Sequence, residues 1–441
     1  MKRTKRIISL LLAIILCAGL FSCMPNLKKY VIEYADKKIS VDSEFIQSDD
    51  YALILDKLNS FSLDLIGSVS GSNNPNSNYA VSPVAVFMSL ATACEMASGE
   101  TRDEILASLG MTYDELKEYT KYIYALCNKE YKYIDSYGTE HISAHEELAN
   151  SVWLSSDYTY KYENVYSLSK DYNCDVFSIS FANGTAKKLI NQYIEYKTHG
   201  IVKNDVEISK SEGLSVISVY HLKEIWNEFG RNLTQTLEGY NFTNEDGSTV
   251  YKQLLKGTYT GGVAYTTSLF TSFAIETEHG YKLYFMIPSS RYTLDDVFTE
   301  KNISRMIKRN NSGFIDNTNQ VLNYTRVMFP AFSVGFNGDL SENLINDFNI
   351  LSLFDKEACD LSNIVFEDAW LDKLIHTAQV NVNARGIEGE SIDLAQSDKI
   401  PPQLPDYEKV YHDLIIDKAF GFVLVDEGGM ILYAGEINNF R

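Results

Sequence analysis

The sequence predicts an α+β domain with large antiparallel sheets. Helix patterns occupy the first part of the chain, whereas runs of β-branched and aromatic residues dominate the second half. Helices followed by strands, without a regular alternation of the two, are typical of an α+β domain. The 441 residues, of which 45% are hydrophobic, suffice for a large core in one or two domains.

The helices are predicted from their end signals. Ser82 is expected to be the N-cap of one helix, with Pro83 at the first helical position. The segment "TRDE", Thr101 to Glu104, has the form of a capping box and predicts the start of the next helix, which would stop at Gly110. A third helix, "TAKKLINQYIEYKTHG", would end at Gly200.

The strands are predicted from five runs and a C-terminal hairpin. The runs are "LSVISVYHL", "TSFAIET", "YKLYFMIP", "RVMFPAFSV" and "TAQVNVN", and the hairpin is "AFGFVLVDEGGMILYAGEI". Before the hairpin lies the polar segment 383–406, "NARGIEGESIDLAQSDKIPPQLPD". Compact domains rarely contain so long a loop unless it is functional or a linker. Because strand-forming sequence resumes after it, this segment is not a terminal tail.

The N-terminus has the pattern of a secretory signal. "MKRTKR" is basic, and "IISLLLAIILCAGLF" is apolar but too short for a stable membrane span. "LFSC" resembles a bacterial lipobox, in which Cys23 would be lipidated after residues 1–22 are removed. The alternative is an ordinary secretory signal with an incidental cysteine. We expect residues 23–50 to form a polar tether, and the protein to be anchored at the extracellular face of a bacterial membrane, or secreted.

The charge of the chain argues against nucleic acid and anionic lipid as partners. Removal of the signal would take away four positive charges and move the formal net charge from −20 to −24. Membrane contact is therefore expected through the lipid anchor only. The four positive charges are those of Lys2, Arg3, Lys5 and Arg6.

No motif in the sequence indicates an enzyme, a cofactor or a metal site. GxSxG, HExxH, P-loop and GxGxxG patterns do not occur in it. The seven histidines are dispersed along the chain, and His199, His221 and His376 are interpreted as structural. The cysteines that follow Cys23 are interpreted as buried thiols, a bridge being possible but not indicated; they are Cys94, Cys127, Cys174 and Cys359.

Six segments, in the same order along the chain, resemble those of the serpin family. They are "NYAVSPVAVFMSLATACEMASGETRDEILASLG", "INQYIEYKTHGIV", "SVISVYHLKEIW", "FPAFSVGFNGDLSENLINDFNILSLF", "IHTAQVNVNARGIEGES" and "DKAFGFVLVDEGGMILYAGEI". The resemblance implies a serpin domain over residues 51–441, with large antiparallel sheets and about nine helices. The polar segment would be its exposed reactive-centre loop, about residues 384–410.

The resemblance also implies a function. In that family a serine or cysteine protease attacks the loop and forms an acyl-enzyme, and the freed loop then inserts into the main sheet and distorts the protease. The protein would then be a monomeric suicide inhibitor that has no catalytic residues and needs no cofactor. The alternative is a non-inhibitory binding or adhesion protein on the same scaffold.

The hinge of the loop fits the family pattern at Gly386, Glu388, Gly389 and Ser391, and its most consequential departure is Asp393. Alternation from an inward Ile387 would turn Gly389, Ser391 and Asp393 toward the core. Burial of the Asp393 carboxylate would cost several kcal/mol or require a proton, so we expect it to slow insertion. The hinge residues implied by the resemblance are Gly386, Ile387, Glu388, Gly389, Glu390, Ser391 and Asp393.

Two further sites are implied by the resemblance alone. A hydrogen-bonded shutter cluster beneath the opening strands would consist of Ser82, Ser218 and His376, with Ser218 where the family usually has Asn. Counting about fifteen residues from Gly386 places the reactive bond near Lys399–Ile400, although Pro401 would hinder cleavage after Ile400.

Lipidation at Cys23 can be tested by Cys23→Ser. The variant lacks the thiol that accepts the lipid, so it should be released into the medium and should no longer partition into detergent. The measurement is immunoblotting of cell and medium fractions and of the two phases of a detergent separation. Membrane association equal to that of the unchanged protein would contradict lipidation.

Overall fold

The computed structural model confirms the predicted α+β class. It describes residues 27–36, 41, 45–74, 76–134, 138–182, 184–203, 206–208, 213–227, 230–260, 264–310, 321–387 and 408–441. Nine α-helices lie within these residues: α1 (Asp49–Ser72), α2 (Pro83–Met96), α3 (Gly99–Leu109), α4 (Tyr113–Leu126), α5 (Tyr162–Asp171), α6 (Thr185–Lys197), α7 (Leu294–Val297), α8 (Glu300–Asn310) and α9 (Ser341–Phe348).

The described strands form three sheets and one separate hairpin. The strands are β1 (Val31–Glu33), β2 (Tyr79–Val81), β3 (Glu130–Ile134), β4 (Glu140–Ser155), β5 (Cys174–Ile179), β6 (Leu214–Ile225), β7 (Thr234–Gln235), β8 (Tyr240–Thr243), β9 (Thr249–Lys252), β10 (Leu254–Thr260), β11 (Tyr265–Thr266), β12 (Phe270–Glu276), β13 (Lys282–Pro288), β14 (Val321–Pro330), β15 (Phe332–Asp339), β16 (Ile375–Val382), β17 (Gly386–Ile387), β18 (Glu408–Ile415), β19 (Phe420–Val425) and β20 (Ile431–Ile437).

The main sheet has the strand order β1-β5-β4-β6-β17-β16-β15, with β3 paired to β4. A six-stranded sheet has the order β11-β12-β13-β19-β20-β2, and a four-stranded sheet the order β18-β14-β10-β7, while β8 and β9 form the hairpin. The run "RVMFPAFSV", predicted as one strand, is divided between two sheets: β14 ends at Pro330 and β15 begins at Phe332. Proline lacks a backbone N–H and favours such a strand end.

Apolar side chains cover both faces of the main sheet. The larger cluster includes Leu148, Val216 and Leu222, together with the wholly buried helix α2. A second cluster, which includes Trp153 and Ile217, lies beneath α6. Because side chains alternate along a strand, these two clusters occupy opposite faces of the sheet. Helix α6 therefore covers the face that α2 leaves open.

The capping box predicted at Thr101 to Glu104 is wrong. Helix α3 begins earlier, at Gly99, although it does end before Gly110, whose φ is 61°. Thr101 Oγ1 instead accepts a hydrogen bond from the Asp360 amide (3.0 Å), and the Glu104 carboxylate accepts from the Leu351 and Ser352 amides (2.8 Å each). The two side chains thus hold distant loops, which local spacing does not reveal.

The tether predicted for residues 23–50 is wrong for its described middle part. Strand β1 pairs antiparallel with β5 at the edge of the main sheet, with Val31 opposite Phe177. Leu27 is buried, and the Ala35 amide donates to Asp175 Oδ1 at 3.0 Å. A few apolar residues in a polar stretch therefore suffice to add an edge strand. Among the described residues, no helix combines the length and the apolar character that crossing a bilayer requires.

The four described cysteines are free thiols. Cys94, Cys127 and Cys174 are buried, and Cys359 is partly buried. Burial raises the pKa of the Cys94 thiol to about 12, which makes this thiol unreactive near neutral pH.

A buried carboxyl group lies between the main sheet and the six-stranded sheet. Glu146 of β4 is 3% exposed and accepts hydrogen bonds from the Tyr220 hydroxyl (2.5 Å) and the Tyr281 hydroxyl (2.6 Å). Desolvation by burial raises the pKa of Glu146 to about 7, although the nearby Lys129 ammonium opposes the shift. The folded protein therefore binds a proton here at a pH at which an unfolded glutamate has lost it.

Glu146→Gln should reduce the dependence of stability on pH. Because the folded pKa lies above the unfolded one, the contribution of Glu146 to stability falls as the pH rises from about 4.5 to about 7. Glutamine keeps the size and the hydrogen-bonding capacity but does not titrate. The stability of the variant relative to the unchanged protein should increase by about 2–3 kcal/mol from pH 5 to pH 8. Urea unfolding of both proteins at the two pH values measures this, and parallel curves would refute it.

Candidate functional site

The first residues of the polar loop are built into the main sheet. Gly386 and Ile387 form β17, which pairs antiparallel with β6 through Ile225 and Glu224 and with β16 through Val382. Within the described residues, no ladder joins β6 directly to β16. These two strands are thus neighbours with β17 wedged between them at one end.

A tight reversal carries the chain from β16 into β17. The Asn383 amide donates to the Gly386 carbonyl oxygen at 3.0 Å, and the Arg385 amide donates to Asn383 Oδ1 at 2.8 Å. The buried Trp226 fixes this turn from the end of β6: its Nε1 donates to the Asn383 carbonyl (2.9 Å) and its amide to the Arg385 carbonyl (3.1 Å). The start of the loop is therefore held by backbone contacts on both sides.

Gly386 and Ile387 suit this position for different reasons. A Cβ added at Gly386 would lie 1.9 Å from the Glu224 carbonyl oxygen, so only glycine permits this backbone approach. Ile387 is 1% exposed and belongs to the larger apolar cluster. The inward direction expected for Ile387 is the one the structure has. The rest of the hinge (Glu388, Gly389, Glu390, Ser391 and Asp393) and the reactive-bond residues (Lys399, Ile400 and Pro401) lie outside the described residues.

A buried ionisable pair flanks the inserted end. Glu224, opposite Ile387, is completely buried, and its Oε1 lies 2.7 Å from His279 Nδ1. Desolvation raises the pKa of Glu224, and the contact with His279 opposes this rise. His279 is in turn stacked on Tyr131, with 3.7 Å between the ring centroids.

The structure brings together two of the three residues expected in the shutter cluster. The Ser82 amide donates to His376 Nε2 at 3.0 Å, and burial lowers the pKa of His376 to about 3, so the imidazole is neutral and accepts this bond. Ser82 occupies the N-cap position of α2, as expected, but its hydroxyl forms no capping hydrogen bond.

Ser218 belongs to a different hydrogen-bonded chain. Its hydroxyl donates to Asn150 Oδ1 at 2.7 Å, and Asn150 Nδ2 donates to Thr92 Oγ1 at 2.5 Å. This chain joins β6, β4 and α2. Sequence reasoning missed Asn150 and Thr92, although a lone asparagine within the apolar run of β4 signals a buried polar contact.

The histidines are less dispersed than the sequence indicates. His145 of β4, His221 of β6 and His199, just after α6, converge so that one ring nitrogen from each lies within 4.8 Å of the others. Their positions in the sequence indicate structural roles for His199 and His221 and give no sign of a role for His145. The pairing of β4 with β6 and the position of α6 create the cluster, so residue spacing gives no sign of it.

The family model of serpins (serine protease inhibitors) matches residues 56–440. The chain belongs to the serpin family. This confirms the resemblance found in the sequence. Members of the family are generally protease inhibitors rather than enzymes.

Full-length relatives and structures agree with this assignment. A serpin-like protein of Methanosarcina acetivorans is 22% identical over 449 residues, which cover 98% of this chain and 96% of the relative. The native state of tengpin, a thermophilic serpin, is similar with a TM-score of 0.71 at 16% identity, covering 92% of this chain and 98% of tengpin. Human thyroxine-binding globulin is similar with a TM-score of 0.70 at 17% identity, covering 89% and 99%. At such identities the structures share the fold.

Gly386→Ala should loosen the inserted end of the loop in this serpin. The added methyl group would overlap with the Glu224 carbonyl, so β17 should be displaced and the native state destabilised by about 1–3 kcal/mol. Amide hydrogen exchange at Trp226 and Ile387 should accelerate, because both amides lie at this junction.

The matched control is Gly71→Ala in α1, where an added Cβ would meet nothing within 4 Å. This change should leave stability the same or raise it, since alanine is favoured over glycine in a helix. If the two variants behave alike in thermal unfolding and hydrogen exchange, the close approach at Gly386 is not what holds β17.

Proposed function

We propose that this serpin is a suicide inhibitor of extracellular serine or cysteine proteases, held at the bacterial surface by a lipid on Cys23. The observation that carries the proposal is β17: the loop already begins as a strand between β6 and β16, and these two strands share no ladder among the described residues. Cleavage of the loop would free its C-terminal end, and the loop could then extend β17 as a longer strand.

The chemistry is supplied by the protease. Its serine or cysteine nucleophile attacks a carbonyl in segment 388–407, the peptide bond breaks, and the new amino terminus leaves while an ester or thioester joins the loop to the enzyme. The freed loop then continues from Ile387 between β6 and β16. About fifteen residues at about 3.3 Å each would carry the attached protease roughly 50 Å.

Insertion would be stabilised by backbone hydrogen bonds between the new strand and the strands on both sides of it, β6 and β16. Of the described loop residues, Gly386 and Ile387 pair with both neighbouring strands in this way. Continued alternation from the inward Ile387 would turn Gly389 and Ser391 toward the core, where their small side chains need little space. The free energy that drives insertion would therefore come from completing the strand pairing. The rate of insertion would depend on which loop side chains must be buried in the core.

A non-inhibitory binding role is the second candidate, and the same register favours it. From an inward Ile387, Asp393 would also face the core, and an unpaired carboxylate opposes burial. Slow insertion gives the protease time to hydrolyse the acyl-enzyme, which makes the loop a substrate. Human thyroxine-binding globulin, which has a similar fold, is named for binding a small molecule.

Incubation with a panel of trypsin-like, chymotrypsin-like, elastase-like and papain-like proteases separates the two roles. An inhibitor gives an SDS-stable band of protein plus protease, and its cleaved form melts far above the native form because a strand has been added. Clean cleavage by every protease, with native and cleaved forms melting within a few degrees of each other, would contradict inhibition.

Two loop variants make the same experiment sensitive to the register. Asp393→Thr removes the charge and keeps a small strand-favouring side chain, so the fraction of protein trapped in complex should rise. Glu390→Thr is the matched control, because it removes a carboxylate expected to face solvent, and it should change the fraction much less. Equal effects of the two variants would mean that the inward register does not extend to Asp393.

A further inference from the structure

Three histidines from distant parts of the chain meet on the α6 side of the main sheet. Strands β4 and β6 pair so that His145 is opposite Lys223 and Glu147 is opposite His221, which places all four side chains on one face. His199 reaches the same place from the turn after α6. The ring centroids of His199 lie 4.7 Å from those of His145 and 4.9 Å from those of His221.

Two of these rings have a buried nitrogen without a hydrogen-bond partner. The Nδ1 atoms of His145 and His221 are inaccessible to solvent and make no hydrogen bond to a described protein atom, and His221 is only 6% exposed. Buried polar atoms are almost always paired, and an unpaired one is costly. A ligand bound to these nitrogens would remove this cost.

The surroundings of the rings disfavour their protonation. Burial lowers the pKa of His145, and it lowers the pKa of His221 to about 3, with His199 as a further cause in both cases. An unprotonated imidazole has the lone pair that binds a metal ion, and three rings that converge within 4.8 Å can offer one such nitrogen each.

The backbone at His199 holds an uncommon conformation. Its φ is 50°, in the left-handed region that residues other than glycine seldom adopt. The turn is fixed by the Gly200 amide, which donates to the Glu195 carbonyl at 2.7 Å, and by the Val202 amide, which donates to Thr198 Oγ1 at 3.2 Å. This geometry directs the half-exposed His199 ring back over the sheet.

A carboxylate lies beside the cluster. Glu147 Oε2 is 3.4 Å from His199 Nε2, and Glu147 Oε1 accepts a hydrogen bond from Lys197 Nζ at 2.9 Å. Carboxylates commonly orient the imidazoles that bind metals. The ammonium of Lys197 is thus balanced by Glu147, and Lys223 is the other cation on this face of the two strands.

We propose that His145, His199 and His221 bind a divalent transition-metal ion, for which Zn²⁺ is the best fit. Imidazole ligands suit Zn²⁺, Cu²⁺ and Ni²⁺ rather than Mg²⁺ or Ca²⁺. Three histidines around zinc leave a fourth position for water or for Glu147. Nitrogens bound to tetrahedral zinc at about 2.0–2.1 Å lie about 3.3 Å apart. The cluster would therefore contract by up to about 1.5 Å, which rotation of the exposed His199 ring allows.

The bound ion would join three elements. His145 and His221 belong to adjacent strands, whereas His199 follows α6, so the ion would fix the C-terminal end of α6 to β4 and β6. This site is separate from the loop and does not rest on the proposed inhibition, because binding can be measured in the absence of any protease.

The test uses the purified tag-free protein and two metals as probes. Titration with CoCl₂, followed by visible absorbance, should give the bands of tetrahedral Co²⁺ with a dissociation constant of about 10 µM or less, and ZnCl₂ should displace the cobalt. Zinc should also raise the midpoint of thermal unfolding in a concentration-dependent way. Hydrogen exchange should slow in residues 196–202.

His199→Asn is the decisive variant. Asparagine tolerates the left-handed backbone but removes the imidazole, so it should weaken cobalt binding at least tenfold without lowering the metal-free unfolding midpoint. His145→Ala should weaken binding similarly. His141→Ala, which removes an exposed histidine of the same strand, should bind as the unchanged protein does. Absence of saturable binding below millimolar metal, or binding by His199→Asn equal to that of the unchanged protein, would overturn the proposal.

Discussion

Backbone pairing of two residues between two long strands is the constraint on which the functional part of this serpin depends. Gly386 and Ile387 make the only described ladder contacts between β6 and β16, and Trp226 fixes the turn that delivers them. The approach to the Glu224 carbonyl requires glycine, and the burial of Ile387 sets which side chains that follow would face the core. One close contact therefore decides both where the loop starts and the register in which it would continue.

The sequence predicted well wherever local chemistry determines structure. Pro83 and Gly110 mark helix ends because proline and glycine have restricted or unusual backbone preferences, and the strand runs follow from side-chain alternation. The sequence predicted poorly where the structure depends on contacts between residues that are far apart along the chain. Thr101 and Glu104 have the spacing of a capping box, yet they bind loops about 250 residues away along the chain, for which local pattern gives no warning.

The candidate sites show the same division. The structure describes the first two of the hinge residues that the family resemblance implies: Gly386 and Ile387 form β17, and Ile387 has the inward direction that alternation predicts. The shutter cluster could be placed only in part: Ser82 and His376 are bonded, but through the Ser82 amide, and Ser218 turns to Asn150. The histidine cluster could not be found at all, since residues 145, 199 and 221 meet only after β4 has paired with β6 and α6 has crossed the sheet.

The histidine cluster and the loop use opposite faces of the same strand. His221 points toward α6, whereas Glu224, three residues further along β6, faces the core with Ile387. An inserted loop strand would enter the gap between β6 and β16. His145 of β4 and His221 of β6 lie on the same side of this gap, so an ion bound to them would not hold β6 to β16. The long ladder between β4 and β6 already makes these strands move together, and the ion would add the end of α6 to that unit. The apolar cluster beneath α6, however, extends to Ile375 at the start of β16. Opening of the gap would therefore disturb the packing of Ile375 against this cluster, on the same face of the sheet as the histidines but on the other side of the gap.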